Sequence, residues 1–145
     1  MEADAALKQE VLSLVPQQPP FRFIDEIISL DDEQIIGAYR FREDEYFYRG
    51  HFPGNPIMPG VLLCEACFQT GAILMVASHQ PGLGVVTRIR DIKFKHFARP
   101  GDTLTMKVTL DDQVDNAYYM SGTIHIGDKL ILKIIFQAAL LPPEQ

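Results

Sequence analysis

Between Pro59 and His79 lie nineteen residues, Gly60 to Ser78, reading G-V-L-L-C-E-A-C-F-Q-T-G-A-I-L-M-V-A-S, with apolar side chains on every helical face. A helix without a polar stripe has to be covered all round, by protein or by lipid. This one only just reaches spanning length, and Glu65 and Gln69 inside it would be costly in hydrocarbon. The pattern predicts a core helix wrapped by a sheet and no membrane span. Pro59 stands at or just before the first helical position, where its fixed φ helps and its missing N–H costs nothing.

The flanking sequence supplies strands for such a wrapper. Leu104 to Leu110 alternates apolar and polar residues without a break, as a half-buried strand does. Ala117 to Ile126 and Lys129 to Leu140 flank Gly127-Asp128, with Asp111 to Asn116 as the preceding turn, so the last third reads as an antiparallel meander. Earlier, Phe21 to Leu30 and Gln34 to Phe41 are rich in Phe and Ile and are parted by Asp31, Asp32 and Glu33, which predicts a hairpin. Ala5 to Val15 places Leu7, Val11 and Leu14 at helical spacing, and Pro16 ends that helix.

At 145 residues the chain suits one domain, residues 1–145, with no linker or internal repeat. An apolar fraction of 47% with 22% charged residues matches a globular protein and argues against disorder or a disulfide scaffold. Thirteen basic against nineteen acidic residues give a net charge of -6, which opposes general attraction to nucleic acid or anionic membrane. The acidic N-terminus lacks the basic and apolar regions of a secretory signal, so a cytoplasmic location is expected.

Cys64 and Cys67 form a single C-x-x-C inside the apolar helix, where packing is a better reading than redox or zinc chemistry. His79, His96 and His125 lack metal-ligand spacing and read as structural, so no metal is expected. One basic run, Arg88, Arg90, Lys93, Lys95, His96 and Arg99, stands out in an acidic chain. It reads equally as the solvated face of an edge strand and as a docking patch for an acidic partner. No aromatic platform accompanies it, which disfavours nucleic acid.

Ahead of the helix runs H-F-P-G-N-P-I-M-P-G, a loop restricted by three prolines and carrying His51. Residues 50 to 71, G-H-F-P-G-N-P-I-M-P-G-V-L-L-C-E-A-C-F-Q-T-G, resemble the glutamate-type 3-hydroxyacyl-[acyl carrier protein] dehydratases. Pro20-Phe21 to Asp25 is similar to their P-F-x-x-x-D element, and Arg99 to Asp102 to their R-P-G-D.

The resemblance implies an α+β hot-dog fold, a curved antiparallel sheet around one long helix. It also implies a homodimer, with a trimer of dimers as the larger assembly, in which two subunits share each site. The implied reaction takes a (3R)-3-hydroxyacyl group on an acyl carrier protein to the trans-2-enoyl thioester, with neither metal nor organic cofactor. His51 would be the base, because removing an α-proton needs a group with a pKa near neutrality. Glu65, on an apolar helix that disfavours its charged form, would protonate the departing hydroxyl. Backbone N–H groups at the helix start, Gly60 and Val61, would receive the thioester oxyanion. Gln69, one turn beyond Glu65, would orient its carboxyl. Arg88, Arg90, Lys93, Lys95 and Arg99 would dock the carrier.

Two departures bear on specificity. Typical members read L-P-H-R where this chain has Val15-Pro16-Gln17-Gln18, and carry Arg after the Asp where it has Glu26. An aromatic gate followed by F-A-G-I-D is replaced by Val85-Val86-Thr87-Arg88-Ile89-Arg90. Both point to altered partner or substrate contacts and to a specialised lipid or polyketide pathway. A hot-dog thioesterase and a non-catalytic carrier-binding subunit are the alternatives of other classes.

Overall fold

The computed structural model describes residues 9, 12–13, 15–49, 54, 56–78 and 82–141. The apolar segment is one helix, α1 (Gly60–Ser78). Six strands, β1 (Glu26–Leu30), β2 (Gln34–Arg40), β3 (Leu83–Phe94), β4 (Thr103–Val114), β5 (Ala117–Ile126) and β6 (Lys129–Leu141), form one sheet in the order β1-β2-β4-β5-β6-β3. Every neighbouring pair is antiparallel. The helix packs against β2, β3, β4, β5 and β6, so the sheet curls round it, as the hot-dog architecture requires.

The core is the seam between them. Leu104, Met106 and Val108 of β4 are buried, with Thr105, Lys107 and Thr109 between them more open. Facing them, Leu63, Ala66, Cys67, Ile73, Leu74 and Met75 bury successive faces of α1. Gly122 fits a close approach where β5 meets the helix: an added Cβ would lie in contact with Cys67 Sγ at 3.4 Å and would press on Ile134 Cγ2 at 3.2 Å.

The strands differ from the sequence expectation in two places. Residues 21–25 precede β1 rather than belonging to it, because Phe23 and Ile24 are both buried and the alternation of a strand is broken. The turn expected over Asp111 to Asn116 shrinks to Asp115-Asn116, since β4 and β5 stay paired out to Val114 and Ala117. Asp111, Asp112 and Gln113 stand exposed there, and Asp115 adopts the left-handed φ of 54° that Asp tolerates. Of the N-terminal helix, Gln9, Leu12, Ser13 and Val15 are described, with Gln9 and Leu12 helical; the rest lies outside the described residues.

Strand β3 lies at the sheet edge beyond β6, and none of its residues is fully buried. It carries exposed Leu83, Val86, Ile89 and Phe94 among its charges. The edge-strand reading of the basic run therefore describes where Arg88, Arg90 and Lys93 sit.

Candidate active site

The start of α1 is fixed by the turn before β4. Arg99-Pro100-Gly101-Asp102 closes on itself through Arg99 N–H to Asp102 Oδ2 at 2.8 Å. It is tied to the end of β2 by Phe41 N–H to Asp102 O at 2.8 Å and Gly101 N–H to Phe41 O at 2.6 Å. Gly101 has φ +90°, a conformation for which glycine is suited. One residue upstream, Ala98 O accepts from Met58 N–H at 2.8 Å, which anchors the segment leading into the helix.

At the first turn, Leu62 and Leu63 N–H both reach back to Pro59 O, at 2.9 and 3.2 Å. Among the described residues this leaves the amides of Gly60 and Val61 unpaired, the ordinary condition of a helix start. Val61's side chain is 74% exposed. Gly60 lies under the Phe94 ring so closely that a Cβ would sit 2.9 Å from Phe94 Cε1. Gly60, Lys95, Arg99, Phe94, His96 and Lys129 help line a cavity of about 520 Å³. Phe94, His96 and Lys129 were missed from the sequence as neighbours of the helix start; only the folded register of β3 and β6 brings them there.

Glu65 faces a different cavity, of about 400 Å³, walled by Phe68, Met75, Val85, Ile89 and Phe136 among others. The five steps from Gly60 to Glu65 leave the two residues a net rotation of ~140° apart around the helix, so they open to different sides. Burial pushes the Glu65 carboxyl above the usual carboxylate range, and the Gln69 amide opposes part of that rise. Gln69 is buried and fully engaged: Nε2 donates to Glu65 Oε2 and to Phe21 O, each at 3.0 Å, while Oε1 accepts from Phe23 N–H at 2.8 Å. It orients the carboxyl and holds the 21–23 segment against the helix at once.

His51 lies outside the described residues, as does His79. Asp25, from the P-F-x-x-x-D element, accepts from Arg40 N–H at 2.7 Å and pairs with Arg42 at 2.8 Å, which fastens residue 25 to the end of β2. Cys64 and Cys67 are buried thiols, and burial pushes Cys64 up to about 11 and Cys67 higher still. Both are poor nucleophiles there. No cluster of three or more possible metal ligands occurs among the described residues. Helix α1 is long and apolar enough to cross a membrane by composition, but 56% of that window is buried within the fold.

The model of the FabA-like domain matches residues 15–135. The chain belongs to the FabA-like family. Its relatives include the 3-hydroxyacyl-[acyl-carrier-protein] dehydratase FabZ of Chloroflexus aggregans, 42% identical over 106 residues that cover 71% of this chain and 74% of the relative. The FabZ of Legionella pneumophila is 39% identical over 127 residues, 83% of this chain and 85% of the relative. Among solved structures, the dehydratase heterocomplex ApeI:P of Xenorhabdus doucetiae superposes with a TM-score of 0.76 at 15% identity, covering 92% of this chain and 91% of that one. A hypothetical thioesterase from Streptococcus pneumoniae with coenzyme A gives 0.65 at 16% identity, covering 83% and 88%. At such identities the two structures establish the hot-dog fold alone, and the FabA-like sequence match carries the family.

Proposed function

We propose that this FabA-like chain, as one domain, dehydrates (3R)-3-hydroxyacyl groups carried on an acyl carrier protein to trans-2-enoyl thioesters, in fatty acid or related lipid and polyketide synthesis. The observation that carries the reading is Glu65: a carboxyl on the apolar helix, raised by burial, oriented by Gln69 and facing an apolar cavity, in a chain 42% identical to a dehydratase.

His51 takes the α-proton, and the C2–H electron pair becomes the new C=C bond. The C3–O bond breaks with its pair passing to oxygen, which collects the proton of Glu65 and leaves as water. Charge on the thioester oxygen is received by the unpaired amides of Gly60 and Val61. The step is redox-neutral and is completed by two proton transfers.

The active assembly is a homodimer built on β3. Glu65 and Gly60 face separate cavities within one chain, and β3 lines both: Gly84, Val85, Val86 and Ile89 border the first, Phe94 the second. Pairing two copies of β3 antiparallel about a two-fold axis lays the first half of one strand against the second half of the other. Each Glu65 cavity then abuts the helix start of the partner. The side chains of Arg88, Arg90, Lys93, Lys95 and Arg99, all exposed in the single chain, make a basic surface beside this seam that meets the acidic carrier. Two unpaired buried thiols suit the reducing cytoplasm.

The test is a 3-hydroxyacyl thioester panel of several chain lengths, read by enoyl absorbance and by a thiol-reactive dye. Absorbance without thiol release supports dehydration. Thiol release supports hydrolysis, and neither signal supports a binding subunit.

A further inference from the structure

Gln17 occupies a position where the sequence departs from its resemblance, and its surroundings give that departure a chemical meaning. Its side-chain oxygen is shut off from solvent and has no hydrogen-bond partner among the described residues. The residue lines the cavity that holds Glu65, and of the twelve residues lining it only these two have polar side chains. The backbone that places Gln17 is fixed on both sides. Val15 is buried and bonds Leu12 O, and Phe21 N–H bonds Gln18 O at 2.8 Å. Gln69 clamps residues 21–23 to the helix turn that carries Glu65.

An amide oxygen buried without a donor is unfavourable, and a turn of this partly exposed side chain into the cavity it lines lets a ligand supply the donor. We propose that Gln17 Oε1 accepts the hydrogen of the substrate's 3-hydroxyl, so that Gln17 is a catalytic residue that grips the leaving group. The inference rests on Glu65 as the acid. When the C3–O bond breaks, its electron pair goes to the hydroxyl oxygen and the Glu65 proton joins it. The original hydroxyl hydrogen stays on that oxygen and points at Gln17. As the oxygen gains a second proton its O–H becomes a stronger donor, so this bond strengthens in the transition state. The cavity thus selects acyl chains that are hydroxylated at C3 over saturated chains of equal length.

The test uses the full-length dimer with Gln17→Leu, Gln17→His and Glu65→Gln, assayed with a 3-hydroxyacyl pantetheine thioester and inhibited by its saturated counterpart. Gln17→Leu is expected to lower kcat/KM roughly tenfold to a hundredfold. Affinity for the saturated inhibitor should stay within about twofold, because that molecule offers no donor at C3. The melting temperature should hold or rise, because an unsatisfied oxygen has been removed. Gln17→His, which restores an acceptor nitrogen, should recover part of the loss. Turnover within twofold of the parent overturns the proposal, as does equal loss toward the saturated inhibitor or a fall in melting temperature that accounts for the lost activity. Glu65→Gln separates the two ideas. If it keeps turnover the acid assignment itself fails; if it loses turnover while Gln17→Leu does not, only Gln17 is misassigned.

Discussion

Gln69 reaches Glu65 across one turn of α1, Nε2 to Oε2 at 3.0 Å, while its own oxygen accepts from Phe23 N–H at 2.8 Å. One buried amide therefore serves both the acid and the segment covering the helix. Gln69→Leu should cost about 2–4 kcal/mol, since it strands the Phe23 N–H and the Phe21 carbonyl that the amide now satisfies. It also removes the contact that holds the Glu65 pKa down. The alkaline limb of the rate profile should move to higher pH in the fraction that folds. Denaturant melts and a pH–rate series measure the two effects separately.

Replacement of the proposed pair should leave the fold and remove the reaction. His51→Ala and Glu65→Gln should each lower dehydration by at least about a hundredfold, the scale of positioned acid–base help. Leu74→Ala, by contrast, opens a cavity at a buried position and should cost about 2–5 kcal/mol. Circular dichroism and enoyl absorbance on the same samples tell these outcomes apart.

Stability should depend on pH through Glu65. Its folded pKa is raised by burial, so the folded state holds the proton more tightly than the unfolded chain does. This contribution is fully present below the ordinary carboxylate pKa and is lost as pH rises through the higher folded value. Glu65→Gln removes the term, so the variant should outlast the parent at alkaline pH and lose that advantage on acidification. Melting temperatures across the range check the sign.

The proposed sharing of sites between subunits can be tested by counting. A mixed dimer of His51→Ala with Glu65→Ala puts both lesions in one site and leaves the other intact, so random mixing should restore about a quarter of all sites. Activity should return only after subunit exchange. Purified mixed dimers with no more turnover than the separate variants would place the pair within one chain.

Charge reversal at Lys95 and Arg99 should raise KM for carrier-bound substrate and flatten its salt dependence, and should affect pantetheine substrates much less, since these meet the two side chains only where they line the cavity at Gly60. The Arg99 turn is held by backbone groups bonded to Asp102, so its geometry survives a change of side chain. Equal loss with both substrates would assign these residues to the fold.

What the sequence made legible followed from periodicity. The all-round apolar run Gly60 to Ser78 gave the helix to the residue, and strict alternation at Leu104 to Leu110 marked β4. Segments whose position depends on tertiary bonds were harder. Phe21 to Asp25 has strand composition, but Gln69, more than forty residues away, takes its backbone groups. At the site, the resemblance singled out Glu65 and Gln69 and the structure shows them bonded. In the sequence Gln17 stands out only as part of a loop with altered partner or substrate contacts, because no local pattern says which side chain lines a cavity.

The placement of β3 also shapes how the chain assembles as it is made. Strand β3 is the next element after the helix in chain order, yet its hydrogen-bonding neighbour is β6, with Leu83 opposite Leu141. During synthesis the apolar helix and β3 emerge while β4, β5 and β6 are still to come, and the sheet can close only when the last strand arrives. Until then the stickiest surface of the protein has nothing to pack against, so nascent chains stalled before residue 129 should be strong clients for chaperones and released fragments of that length should aggregate.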